Sequence, residues 1–104
     1  MDVWMGFEVK TSEGATFAMS NAQRMGGDGF VRDRIDAIAD GKGAYQHGVD
    51  SDLKAFAQRV QREMRDKSYA TYVVLNGHIN TPNPQTEIQV WDAMTGNPRF
   101  TGRR

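Results

Sequence analysis

Glu8 and Lys10 are two unlike charges, two positions apart, in the otherwise apolar run from residue 3 to 10. On a β-strand, residues two apart leave the same face with about 7 Å between them along the backbone. A carboxylate and an ammonium held together at the rim of a sheet suit phosphodiester hydrolysis. The carboxylate binds a divalent metal ion, and the lysine orients or deprotonates the attacking water and offsets phosphate charge. Arginine would serve poorly in place of Lys10, because it does not give up its proton.

The strand that carries this pair is predicted by the alternation of residue types from 3 to 10, which is typical of a strand with one face in the core. We expect four apolar residues to face that core: Val3, Met5, Phe7 and Val9. Glu8 and Lys10 then lie on the opposite face with Trp4, which could stack on a base. Residues 15–19 form either a short second strand or an extended lead-in to a helix.

A helix is predicted to begin at Ser20, because Ser20 and Gln23 fit a capping box, in which the hydroxyl and the amide close the first turn. Glycines at 26, 27 and 29 weaken its middle, so one bent helix and two short helices both fit. Gly41 and Gly43 end it.

The second half of the chain contains the clearest helix, predicted from Asp52 to Lys67 with an apolar stripe along one face. Tyr69 to Leu75 is apolar on both faces, as in a central strand, and Glu87 to Asp92 is a last short strand. The order strand, helix, helix, strand, strand predicts one mixed α/β domain over residues 1–94, followed by a polar C-terminal tail over residues 95–104.

A resemblance to a known family follows from these motifs. FEVKT at 7–11 resembles the (D/E)-x-K motif of the PD-(D/E)XK nuclease superfamily, and SNAQ at 20–23 resembles the Ser-x-x-Gln that often opens its next helix. GGDGFVRDRIDAI at 26–38 resembles nuclease domains of bacterial polymorphic toxins and effectors. The resemblance implies a restriction-endonuclease-like fold, an α/β (α+β) mixed sheet flanked by helices, here minimal or truncated.

The same resemblance implies a metal-dependent endonuclease, with DNA favoured as the substrate and RNA left open. Glu8 would hold Mg²⁺ or Mn²⁺, Lys10 would position or activate the attacking water, and Gln23 would orient both. The superfamily has a further acid on an earlier strand, for which Asp2 is the candidate second metal ligand. A straight strand would place Asp2 about 20 Å from Glu8, so the two could share an ion only if the chain folds back between them.

Substrate contacts and partners are also implied. We expect Ser20, Arg24 and Arg32 to contact the substrate, and four further arginines could contact phosphate: Arg34, Arg59, Arg62 and Arg65. The toxin resemblance implies a cognate immunity protein, delivery without a cleavable signal peptide in this chain, and action in the target-cell cytoplasm. No apolar run approaches the roughly 18 residues of a membrane span, so no membrane partner is expected.

Composition limits these expectations and leaves other interpretations open. Thirteen basic and thirteen acidic residues cancel, so a positive surface for nucleic acid must be local. The absence of cysteine excludes disulfides and thiolate metal sites. The chain could instead be a non-catalytic interaction module, either an immunity protein or an inactive nuclease fold. It could also be a metal-free ribonuclease that uses His47 or His78 as general acid or base.

Overall fold

The centre of the fold is a three-stranded mixed β-sheet. In the computed structural model, which describes residues 4–67, 69–92, 94 and 96–102, the strands are β1 (Met5–Thr11), β2 (Ala70–Gly77) and β3 (Gln85–Val90). β2 is central, parallel to β1 and antiparallel to β3. The expected mixed α/β architecture and the central position of the strand after the long helix are therefore confirmed.

Three α-helices lie between β1 and β2 in the sequence: α1 (Asn21–Arg24), α2 (Gly27–Asp40) and α3 (Ser51–Glu63), with a 3-10 helix at Gly43–Tyr45. Of the two possibilities for residues 20–41, two separate helices are found, because Gly26 takes a φ of 110° between them. Gly41 ends α2 in the left-handed region, as expected. The long helix starts earlier than expected because the Asp50 side chain accepts the Leu53 N–H.

The hydrophobic core lies between the sheet and the segments that cover one of its faces. One cluster of buried residues consists of Phe17, Met19, Val73, Leu75 and Trp91. A second joins the end of α3 to the sheet through Val60, Met64 and Tyr69. Within the described helices, none is both long enough and apolar enough to cross a membrane.

The face of β1 that meets the core is opposite to the sequence expectation. Met5, Phe7 and Val9 are 51%, 50% and 56% exposed, so their expected burial is wrong; Val3 lies outside the described residues. The buried position is Gly6, where an added Cβ would stand 2.8 Å from Val31 of α2. Alternation marks two faces without showing which is covered. Here the glycine lets α2 approach the face that carries Glu8.

The other face of the sheet is open. Its outward positions on β1, β2 and β3, hereafter the open sheet face, are Met5, Phe7, Val9, Thr11, Ala70, Tyr72, Val74, Asn76, Thr86, Ile88 and Val90. All of these residues are uncharged. Phe7 and Tyr72 stack across the two strands with ring centroids 5.6 Å apart.

Residues 96–102 return to the sheet, although they fall in the segment expected to be a polar tail. Phe100 packs edge-on against Phe17 with ring centroids 5.4 Å apart, and Arg99 forms an isolated β-bridge with Thr16. The Thr101 N–H donates to the Glu87 carboxylate at 2.9 Å. Of the two possibilities for residues 15–19, the extended lead-in is found, since among the described residues this segment pairs through the isolated bridge at Thr16 and forms no strand.

Candidate active site

Three polar side chains meet where β1 passes α1. Glu8 and Lys10 extend from the covered face of β1, and Gln23 is 7% exposed on α1. Gln23 Nε2 donates to Glu8 Oε1 at 3.1 Å, and Lys10 Nζ donates to Gln23 Oε1 at 2.8 Å. A single amide therefore joins the carboxylate to the ammonium, and we call this group the Glu8–Gln23–Lys10 cluster.

The orientation of the Gln23 amide is set by the helix cap. Gln23 Oε1 also accepts the Ser20 N–H at 2.9 Å, and Ser20 Oγ accepts the Gln23 N–H at 3.2 Å. Because two donors, from Ser20 and Lys10, converge on Oε1, the NH₂ group is left facing Glu8. The Trp91 indole N–H donates to the backbone carbonyl of Gln23 at 3.2 Å and so fixes this residue from the side of the core. The predicted capping box is confirmed, and the same side chain reaches both charged residues.

Glu8 also lines a cleft of about 470 Å³ beside β1. Other residues that line it include Trp4, Phe30, Arg34, Tyr45 and Phe56, and we call it the edge cleft because β1 is an edge strand. Glu8 thus borders a space lined in part by aromatic residues and one arginine.

The aromatic wall of the edge cleft is held by polar contacts outside it. The Trp4 indole N–H donates to Glu63, and the Arg59 guanidinium lies 5.6 Å from the centroid of the Trp4 ring. The hydrogen bond from Trp4, followed by that from Arg59, lowers the pKa of the Glu63 carboxyl. Trp4 meets Phe56 edge-on, with centroids 5.4 Å apart and planes 83° apart.

The remaining predicted substrate contacts bind other parts of the protein. Arg24 donates to Asn97 Oδ1 at 2.6 Å. Arg32 donates to the carbonyls of Met64, at 3.0 Å, and Lys67, and so satisfies backbone acceptors just beyond the end of α3. The structure thus brings Ser20 into the Glu8–Gln23–Lys10 cluster, and it ties Arg24 and Arg32 to other groups.

Three further sequence candidates lie elsewhere. Asp2 falls outside the described residues. His47 is exposed in the loop after the 3-10 helix. His78 lies in the turn after β2 with a φ of 51°, and its ring stacks on Phe100 with centroids 6.0 Å apart.

The small number of oxygen ligands in the cluster limits how a metal ion could be bound there. In the part of the chain that the structure describes, no three His, Asp or Glu side chains converge. Glu8 offers one carboxylate, and Gln23 Oε1 already accepts two hydrogen bonds. Mg²⁺ usually keeps several waters and binds through one or two carboxylates together with substrate phosphates. An ion bound there would need water and substrate oxygens for most of its coordination, because among the described residues the cluster offers only the Glu8 carboxylate.

Several residues that line the edge cleft were not identified from the sequence. Trp4 and Arg34 were expected as possible base and phosphate contacts, but Phe30, Tyr45 and Phe56 were not. Phe56 belongs to the apolar stripe of α3, which indicates core, although it is 46% exposed. The spacing of Phe30 and Arg34, four apart on α2, is a sequence feature that indicates a shared face.

No match to this chain is found among protein-family models, curated proteins or solved structures.

Proposed function

We propose that this protein is a small metal-dependent nuclease with a restriction-endonuclease-like fold, acting on DNA. The observation that supports this most is the Gln23 amide, which holds Lys10 at 2.8 Å and Glu8 at 3.1 Å beside an open cleft. An ordinary ion pair on a sheet would need no third residue. Here a buried amide keeps the two charges in fixed positions, as hydrolysis of a phosphodiester requires.

Each side chain of the cluster has a separate role in this proposal. Lys10 Nζ has three donors, and the one directed to Gln23 leaves the others to orient the attacking water or a phosphoryl oxygen. Glu8 would hold Mg²⁺ or Mn²⁺, with Asp2 as a second ligand. A bound metal ion would polarise the phosphoryl oxygen and offset its charge. Gln23 is a positioning residue, because it acts through Glu8 and Lys10.

The biological setting that we propose is that of an antibacterial toxin or effector domain. A cell that makes such an enzyme needs protection, so a cognate immunity protein would bind it and block the edge cleft. The domain would be delivered to the target cell and would act in the cytoplasm there. These proposals depend on the nuclease activity and fall with it.

The test is nicking of supercoiled plasmid in Mg²⁺ and in EDTA by the wild type, Glu8→Ala and Lys10→Ala. Lys54→Ala is the matched control, because Lys54 is an exposed lysine on α3. Cleavage that requires Mg²⁺, is lost in Glu8→Ala and Lys10→Ala, and is kept in Lys54→Ala supports the proposed nuclease activity. No cutting by folded wild type, or full cutting by Glu8→Ala, contradicts it.

A non-catalytic interaction module is the second candidate function, and the open sheet face favours it. Met5, Phe7, Val9, Ile88 and Val90 on this face are each half exposed or more. Together they present on the order of 500 Å² of apolar surface, which is at the upper end for a monomer. The occupant that we propose is a second copy of this chain, because two uncharged faces can stack without opposing like charges.

If two copies stacked through this face, the area buried on each copy would approach that of a stable interface, which is about 800 Å² per partner. The polar residues Thr11, Asn76 and Thr86 at one end of the face would form part of its rim. Light scattering across a concentration series tests this. A dimer that dissociates in Val9→Lys, but not in Lys54→Ala, supports the module, whereas a wild-type monomer at every concentration contradicts it.

A further inference from the structure

We propose that the edge cleft binds one unstacked base of the nucleic acid, so that the enzyme acts on single-stranded or locally unpaired DNA. This inference rests on the proposed nuclease function for its catalytic consequence. The binding itself is a separate property of the cleft and can be measured without cleavage.

The size and walls of the cleft suit a flat aromatic ligand. Its volume of about 470 Å³ falls within the range of small-ligand sites. Its lining includes five aromatic residues: Trp4, Phe7, Phe30, Tyr45 and Phe56. Stacking on such rings accepts any base, because every base has a π-face.

The aromatic wall is already formed in the free protein. Trp4 is fixed by its hydrogen bond to Glu63 and by the Arg59 guanidinium against its ring. Phe56 is held edge-on to Trp4 and remains 46% exposed. Rings that are ordered before binding lose little conformational entropy when a base enters, which favours binding.

A guanidinium group in the same cleft selects a ligand that carries phosphate. Arg34 is exposed, lies with its guanidinium carbon 5.2 Å from the centroid of the Phe30 ring, and donates to Tyr45 Oη at 3.2 Å. Arginine has five N–H donors, so most remain for phosphate oxygens, which its planar fork binds in pairs. A nucleotide supplies both the π-face and the anionic oxygen in one unit.

The position of Glu8 connects this cleft to the chemistry. Glu8 and Arg34 line the same space, so a base stacked there brings its own phosphate close to the Glu8–Gln23–Lys10 cluster. A base in a duplex is covered on both faces by its neighbours and must leave the stack before it can enter such a cleft. The cleft therefore favours unpaired strands.

The test uses the two tryptophans of the chain. Trp4 lines the cleft, whereas Trp91 is 1% exposed in the core and reports on folding. Wild-type protein in EDTA is titrated with a single-stranded deoxyoligonucleotide, its duplex, and an abasic oligonucleotide of equal charge. We expect the single strand to quench Trp4 fluorescence and the other two to bind much more weakly.

Variants show which residues cause the binding. We expect Phe56→Ala and Arg34→Gln each to weaken single-strand binding about tenfold, while Arg62→Gln, an exposed arginine on α3, leaves it unchanged. Equal quenching by the duplex or the abasic strand, or no effect of Phe56→Ala in a folded variant, overturns the proposal. Base-dependent quenching without Mg²⁺-dependent cleavage of the same single strand contradicts the nuclease alone, and cleavage without quenching contradicts the base pocket alone.

Discussion

Gln23 Oε1 accepts a hydrogen bond from Lys10 Nζ at 2.8 Å. The same oxygen accepts the Ser20 N–H that begins α1, so the helix cap and the proposed active site share one atom. Loss of this oxygen must therefore affect both the stability of α1 and the position of Lys10.

Two substitutions of Gln23 separate these effects. Gln23→Glu keeps an acceptor for Ser20 and Lys10 but places a carboxylate oxygen against Glu8, so we expect activity to fall, with a loss of stability smaller than that of Gln23→Ala. Gln23→Ala removes the cap as well, and we expect it to lower the free energy of unfolding by about 1–2 kcal/mol. Denaturant unfolding and cleavage rates measure the two effects. Equal loss of stability in both variants would contradict the shared-atom interpretation.

Two glycines on α2 are predicted to respond to alanine in opposite directions. A Cβ on Gly27 would stand 2.5 Å from Thr71 Oγ1 and 2.7 Å from the Trp91 ring. We expect Gly27→Ala to destabilise the protein by about 1–3 kcal/mol, because two core residues must move. Gly29 has open space at its Cβ, so Gly29→Ala is expected to stabilise α2 by about 0.5–1 kcal/mol. Denaturation midpoints of the two variants give the answer.

Thr71 is predicted to be a site where a substitution increases stability. It is 2% exposed, and within the described residues its Oγ1 has no hydrogen-bond partner. Thr71→Val replaces an unpaired buried hydroxyl by a methyl group, and we expect a gain of about 1 kcal/mol in the free energy of unfolding. Thr86→Val is the control, because Thr86 is exposed and donates to Asn76. Loss of stability in Thr71→Val would show that its hydroxyl has a partner.

Tyr69 is predicted to make stability depend on alkaline pH. Burial, as the main cause, raises the pKa of Tyr69 above 10.0, although nearby Arg32 opposes the shift. The folded state therefore holds this proton more tightly than the unfolded state. The contribution of this group to the free energy of unfolding is fully present below the pKa of about 10 that Tyr69 has in the unfolded chain. It is lost as the pH rises through the higher pKa of the folded state. We expect Tyr69→Phe to flatten this part of the pH profile of unfolding, and an unchanged profile would contradict the prediction.

Local features of the sequence predicted much of the fold. The Ser20–Gln23 cap depends on residues three apart, and the run from Tyr69 to Leu75, largely apolar on both faces, indicates a central strand without further information. The face of β1 could not be predicted in this way, because it is decided by the approach of Val31 to Gly6 across the fold.

The candidate site shows the same division between local and distant contacts. Glu8, Lys10 and Gln23 were identifiable from their spacing along a strand and a capped helix. Arg32 was not identifiable as a residue that binds the end of α3, since its acceptors are backbone carbonyls more than thirty positions away. The contact of Asp92 with the Asp28 N–H at 2.7 Å, which caps α2 from beyond β3, likewise has no local pattern.

The rate of Mg²⁺-dependent DNA cleavage by the wild type and by Glu8→Gln tests the central claim most directly. Glutamine keeps the size of Glu8 and removes only its charge, so a folded variant separates chemistry from packing. We predict cleavage by the wild type that falls about 100-fold or more in Glu8→Gln. Absence of cleavage by the wild type, or an unchanged rate in the variant, would contradict the account.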